Sequence, residues 1–368
     1  MDVLSERLST APSDEASSLL LNIISALTTF TNKYIMGVVM ILGIFGNILS
    51  IVIFGRCKRR DLVTVTYLTP LAYADLITLI YGAFSWISTG IYEKPVAYFY
   101  VEAQPSFAPM LLCKFIRYIY RTFSSISSYI LVLFSCERCI GILLPLNVRF
   151  LISTRRRLAA IALTCILLVV LNCPVIIYNT LYYVGDTSNI ICYFSLPNLS
   201  NVEMFFFIQS MDSLLPHALP CCLILLFSII IILGLRRADR ETAAVTGGRT
   251  KRDNSNLVSL LLVCLLYIVS TAPYVFAWGY FDYYDVYLRD FTGHTKQEVT
   301  AVYKLGMFST SISMMNYSFN FLIYSFTLKI YKEELQKMAD VCLGRRQVSS
   351  GTSRKTKCVE EKSENTNR

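Results

Sequence analysis

Seven apolar stretches, each long enough to cross a bilayer, follow one another along the 368-residue chain. They run over residues 34–54, 64–89, 111–143, 158–178, 204–235, 257–280 and 302–326. About 20 mostly apolar residues span the hydrocarbon core as a helix. In lipid, only helices and closed barrels satisfy their own backbone polar groups. The pattern therefore predicts an all-α membrane protein, a seven-transmembrane helix bundle. The following residues, TLKIYKEELQKM, are amphipathic and too charged to cross, which predicts a short amphipathic surface helix over 327–341. The remaining chain divides into an N-tail, 1–33, and a disordered cytoplasmic tail, 342–368.

Only 16% of the residues are charged, against roughly 25% in soluble domains. A net charge of +9 in a soluble chain would raise the question of nucleic acid. Here the cations cluster between spans: Arg56, Lys58, Arg59 and Arg60, then Arg149, Arg155, Arg156 and Arg157, then Arg236, Arg237, Arg240, Arg249, Lys251 and Arg252. Such loops stay in the cytoplasm. The expectation is a multi-pass plasma-membrane protein with its N-terminus extracellular, contacting membrane lipid and no nucleic acid. An exported N-tail with the first span as signal anchor is expected in place of a cleavable leader. No internal repeat of the transporter kind is present. With only His217 and His294, and no nucleophile–base spacing, enzymatic chemistry is not expected.

Of twelve cysteines, only Cys113 and Cys192 fall at or beyond the outer face. Two cysteines in an oxidising compartment point to one disulfide, tying the third span to the loop before the fifth. The sequon at Asn198 makes that loop a glycosylation candidate.

Ionisable groups at membrane depth need a reason. Asp75 sits midway along the second span, with Asn47, Ser127, Asn316 and Asn320 as candidate partners. The set reads either as a hydrated cluster able to hold a small cation or as a plain inter-helix hydrogen-bond network. Arg138 lies 25 residues after Cys113, ~37 Å along a helix, and so reaches the opposite face. Glu137 is its local candidate partner, and Asp253 its partner across the bundle in a breakable latch. Simple snorkelling of an interfacial arginine is the other reading.

Together these residues resemble the rhodopsin-like (class A) G-protein-coupled receptors over residues 34–338. The resemblance is carried by Gly46 and Asn47, by the LAYAD string ending at Asp75, by Cys113, and by Glu137-Arg138-Cys139 with Pro145 after it. Pro220 and Pro273, the string Asn320-Phe321-Leu322-Ile323-Tyr324, and Tyr331 complete it. It implies an extracellular ligand, a heterotrimeric G-protein partner and a switch built from Glu137, Arg138, Asp253, Asn320 and Tyr324. It implies no organic cofactor; a structural sodium ion would sit on Asp75, Ser127, Asn316 and Asn320. Parts of the pattern are missing. The fourth span lacks its tryptophan, Ser270-Thr271-Ala272-Pro273 replaces Cys-Trp-x-Pro, Ser228 stands where a tyrosine is usual, and Phe321 replaces the proline of Asn-Pro-x-x-Tyr. The string NYSFNFLIY is similar to that of invertebrate FMRFamide-type neuropeptide receptors.

The resemblance also places a ligand cavity among Arg117, Tyr120, Arg121, Gln209, Asp212, Tyr274 and Trp278. Tyr120 occupies the position where amine receptors carry aspartate, and Met314 the position where opsins carry lysine, which argues against both ligand types. Arg121 and Asp212 either face the ligand or neutralise each other. Acids and aromatics at the outer ends, including Glu93, Glu102, Asp186, Glu203 and the run WGYFDYYDVY, suit a cationic peptide. The same aromatics also suit an interfacial belt. A peptide of FMRFamide-like type is the expected ligand, with a small chemosensory molecule as the alternative.

Overall fold

The computed structural model describes residues 12–57, 63–92, 108–144, 152–184, 189–194, 214–246, 255–287 and 296–342. Six helical runs are long and apolar enough to cross a membrane: Leu21–Arg56, Val63–Trp86, Met110–Leu143, Thr154–Tyr178, Leu214–Glu241 and Asn256–Tyr280. The seventh span, Lys296–Thr327, is long enough but more polar. Its Ser309, Ser311, Ser313, Asn316, Ser318 and Asn320 are all buried. Several of these hydroxyls bond back to their own helix, as Ser318 does to the Met314 carbonyl at 3.1 Å. Polarity here faces the bundle, so seven helices form the expected array.

The first span is longer than expected. Helix Pro12–Phe30 runs through a π-turn, Thr31–Ile35, directly into helix Met36–Arg56. Most of the segment read as an N-tail is thus helical. Polar contacts fasten this extension to the seventh span. Ser311 donates to the Asn32 side-chain carbonyl at 2.6 Å, Thr28 donates to the Lys304 carbonyl at 3.3 Å, and Lys304 Nζ donates to Ser25.

Lower down, the first and seventh spans approach closely. A Cβ at Gly46 would overlap the ring of Phe321, and one at Gly43 would overlap Ser318. The phenylalanine that replaces the family proline therefore packs where Gly46 has no side chain, and the seventh span continues as helix through it. Asn47, one turn from Gly43, donates to the Gly43 carbonyl at 2.9 Å and to the Tyr317 carbonyl at 2.8 Å.

The surface helix is Lys329–Cys342, with Tyr331 fully buried beneath it. Tyr331 meets the Ser50 hydroxyl at 3.2 Å and packs with Phe54 and Tyr324, ring centroids 5.7 and 6.1 Å away. An antiparallel hairpin, β1 Asn179–Val184 with β2 Asn189–Phe194, follows the fourth span and sets Cys192 opposite Leu181. These strands are the only ones among the described residues. Cys113 is disulfide-bonded and buried; the side chain of its expected partner Cys192 lies outside the described set. Asn198 lies outside it as well.

Candidate functional site

Asp75 is completely buried. Ser127 of the third span donates to its Oδ1 at 2.5 Å, and Asn320 of the seventh donates to its Oδ2 at 2.8 Å. Two of the expected partners are therefore in place, and one carboxylate joins three helices. Asn47 is not a third partner, because its amide is spent on the backbone carbonyls of Gly43 and Tyr317. Asn316 is buried close by in sequence, and the side-chain oxygens of Asn316 and Asn320 accept no hydrogen bond. A carboxylate, a hydroxyl and two orphaned amide oxygens are hard donors of the kind that suit a small cation. The donor set fits sodium.

At the basic end the pairing differs from expectation. Arg157 of the fourth span grips both oxygens of Glu137, Nε to Oε2 and Nη2 to Oε1, each at 2.8 Å. Tyr67 of the second span donates to Oε2 at 2.8 Å. The fork of Arg157 thus occupies both carboxylate oxygens of Glu137 in a geometrically matched pair. Arg138 turns instead to neutral contacts. Its Nη2 donates to Thr64 Oγ1 at 3.2 Å and its guanidinium lies 5.2 Å from the Phe134 ring centre, while its Nε has no partner. Asp253, the expected cross-bundle partner, lies outside the described residues.

Thr64 and Phe134, the two contacts of Arg138, line one narrow crevice with Ser259, Val263 and Tyr324. The Tyr324 hydroxyl is buried and unpartnered. The expected switch residues Arg138 and Tyr324 thus sit around the same gap between the second, third, sixth and seventh spans. Cys139, where the family has tyrosine, donates through its thiol to the Phe227 carbonyl of the fifth span at 3.3 Å.

Midway up the bundle, a π-turn Leu214–Ala218 precedes Pro220. Proline has no N–H to return to the preceding turn, and carbonyls here find side-chain donors on other spans. Tyr129 of the third span donates to the Leu215 carbonyl at 3.1 Å, and Tyr267 of the sixth donates to the His217 carbonyl at 3.4 Å. Tyr267 is among the largest fully buried side chains. It supplies a polar link between the fifth and sixth spans, one turn from the position of the missing tryptophan. Ser124 and Tyr317 connect the third and seventh spans at 2.7 Å.

Toward the Cys113 end lie the cavity residues. Tyr120 stacks on Tyr81 with centroids 4.3 Å apart. Arg121 is buried, and its charge acts on His217, Tyr81, Tyr120 and Tyr317. The charge of Arg117 also reaches Tyr81. Tyr274 meets the His217 ring edge-on at 4.7 Å and lies 6.4 Å from Trp278. Trp278 donates to Thr310 at 2.9 Å over Gly306. The structure therefore brings Arg117, Tyr120, Arg121, Tyr274 and Trp278 toward one end, while Gln209 and Asp212 lie outside the described residues. Sequence reasoning missed His217, Tyr81, Arg157 and Tyr67. His217 carried a usable signal, since it is one of two histidines and sits beside Pro216 inside an apolar span.

Residues 46–324 match the family described as 7 transmembrane receptor (rhodopsin family). The chain belongs to this family. Its match covers most of the receptor's length and ends at Tyr324, the last residue of the switch motif. Among individual proteins, the receptor is 26% identical over 241 residues to the B1 bradykinin receptor of Macaca fascicularis and 25% identical to that of Homo sapiens. Both alignments cover 64% of this chain and 62% of the relative. It is 24% identical to a purinoceptor of Mus musculus over 274 residues, 73% of this chain and 67% of that one. The receptor thus spans under two thirds of the length of the bradykinin relatives. A family of signalling receptors, not of enzymes, accounts for the chain.

Proposed function

We propose that this receptor binds an extracellular peptide at the Cys113 end and activates a heterotrimeric G protein at the Arg138 end, in the plasma membrane with its N-terminus outside. The carrying observation is the pair of separated constellations: a buried aromatic and cationic cluster at one end, and an arginine whose acidic neighbour is paired elsewhere at the other. Between them runs a column of inter-helix polar links through Tyr267, Ser124, Tyr317 and Asp75. A ligand that favours one arrangement of this column would shift the population at the crevice beside Arg138. Sodium held by Asp75, Ser127, Asn316 and Asn320 would supply a counter-charge to the carboxylate. The chain's own part is to hold those oxygens on three helices, so that their separation reports helix position.

The helix-seven string favours an FMRFamide-like peptide. Relatives named as a bradykinin receptor and a purinoceptor are compatible with a peptide or a small anionic ligand. The compact, aromatic floor around His217 and Tyr274 favours the second reading, a small-molecule chemosensory receptor. A panel of peptides, amidated and free-acid, read by calcium and cAMP assays in transfected cells, separates the two. A peptide agonist supports the first; silence to every peptide with a response to a small molecule overturns it.

A further inference from the structure

The seventh span is held on two opposite faces at its Cys113 end. On one face, Trp278 of the sixth span donates to Thr310 at 2.9 Å, and its ring lies over Gly306, where an added Cβ would come within 3.1 Å. On the other, Lys304 and Ser311 meet the helix Pro12–Phe30 and the π-turn that follows it. At about 100° per residue, positions 304 and 311 share a face, and 306 and 310 lie across from it. Three polar residues carry the second contact: Ser25, Thr28 and Asn32, whose helical spacing makes one seam. Lys304 Nζ donates to Ser25, and the Thr28 hydroxyl is shared between its own Ile24 carbonyl at 2.7 Å and the Lys304 carbonyl at 3.3 Å. Ser311 donates to the Asn32 side-chain carbonyl at 2.6 Å. Thr28 and Thr31 on this side are buried, whereas Leu19, Ile23, Leu27 and Phe30 on the other are exposed. Apolar contact alone would anchor the helix in lipid; hydrogen bonds between helices add a specific register.

The arrangement held in this way is closed at the Arg138 end. The crevice there is narrow, Ser259 on its wall is only 2% exposed, and the seventh span supplies Tyr324 to it. That span is one continuous helix from Lys296 to Thr327, so a displacement of its outer end is carried to Tyr324. We infer that helix Pro12–Phe30 is a strap: through Ser25, Thr28 and Asn32 it restrains the seventh span and favours the closed arrangement. Anything that draws Asn32 away from Ser311 then favours an open inner end. The effect on signalling rests on the G-protein reading above; the effect on the crevice does not.

The test uses the purified full-length receptor in nanodiscs carrying Ser259→Cys, with labelling of that position by a small water-soluble maleimide followed by peptide mass spectrometry. Adding Asn32→Ala is expected to raise the labelling rate about threefold, the population shift that one lost hydrogen bond gives. Ser311 keeps its bond to the Met307 carbonyl at 3.2 Å, so this variant strands no donor. Ser311→Ala should match it, and the two together should add little, since they remove the same bond. Asn22→Ala, on the exposed side of the same helix, should leave the rate unchanged. With Ser259 retained, basal guanine-nucleotide exchange in membranes at equal surface density should rise in parallel. Unchanged labelling in Asn32→Ala and Ser311→Ala, a lower unfolding temperature without faster labelling, or an equal effect of Asn22→Ala would overturn the inference. If Ser259→Cys does not fold, Asn256→Cys on the same crevice replaces it. Faster labelling with no exchange on any G protein would count against the signalling reading alone, and agonist-driven exchange beside unchanged labelling against the strap alone.

Discussion

Glu137 is paired with Arg157, twenty residues away on the fourth span, and not with Arg138 beside it in sequence. The pair is nearly dry, with side chains 5% and 9% exposed. This leaves Arg138 held by a hydroxyl and an aromatic face, contacts weaker than an ion pair and easier to exchange.

Breaking the pair has a large expected cost. Removing one partner of a buried ion pair strands the other charge, at about 3–5 kcal/mol. Arg157→Ala is expected to lower surface expression and the unfolding temperature sharply, while Arg157→Lys, which keeps the charge and loses the fork, falls between. Thermal unfolding of the three proteins in detergent checks it; equal stability would show the pair to be dispensable.

Tyr267→Phe should act on the resting equilibrium and leave folding intact. The hydroxyl's bond to the fifth-span carbonyl of His217 is 3.4 Å long, and a hydrogen bond is worth about 1 kcal/mol net. If the bond is specific to this arrangement, its loss shifts the two-state ratio by roughly fivefold. Basal second-messenger output at matched surface expression is the readout, and an unchanged output would remove Tyr267 from the switch.

The close packing of Gly46 on Phe321 is testable by a double-mutant cycle. Gly46→Ala forces a methyl group into the ring and is expected to cost about 1–3 kcal/mol. Adding Phe321→Ala should recover part of that loss. Strict additivity would show that the two residues do not meet.

Asp75→Asn tests the polar core. The wild-type unfolding temperature is expected to rise with sodium and not with an equal concentration of choline. Asp75→Asn keeps a side chain able to meet Ser127 and Asn320, and is expected to lose that sodium response. A variant still responsive to sodium would assign the effect to another site.

Much of this arrangement is visible in the residue order. Hydropathy locates six of the helices because lipid contact demands long apolar runs, while the seventh is more polar and turns its hydroxyls and amides inward; a lone Asp75 inside the second announces a polar core. What escaped reading is instructive. Arg157 sits in a run of three arginines that look alike as loop charge; only the helix phase turns one of them inward, to a burial of 6% exposure. Helix Pro12–Phe30 carries acids at its start, which disguise its continuity with the first span. The role of Phe321 depends on Gly46, 275 positions away, a pairing that no local pattern encodes. Gln209, Asp212 and Asp253 fall outside the described residues, so their expected roles pass to mutagenesis.

The most direct measurement is guanine-nucleotide exchange on heterotrimeric G proteins in membranes holding wild-type receptor or Arg138→Ala at equal surface density. Exchange above receptor-free membranes for the wild type, lost in Arg138→Ala, is the predicted result. Wild-type exchange that persists undiminished in Arg138→Ala, or no exchange with any G protein even under a saturating agonist, would contradict the account.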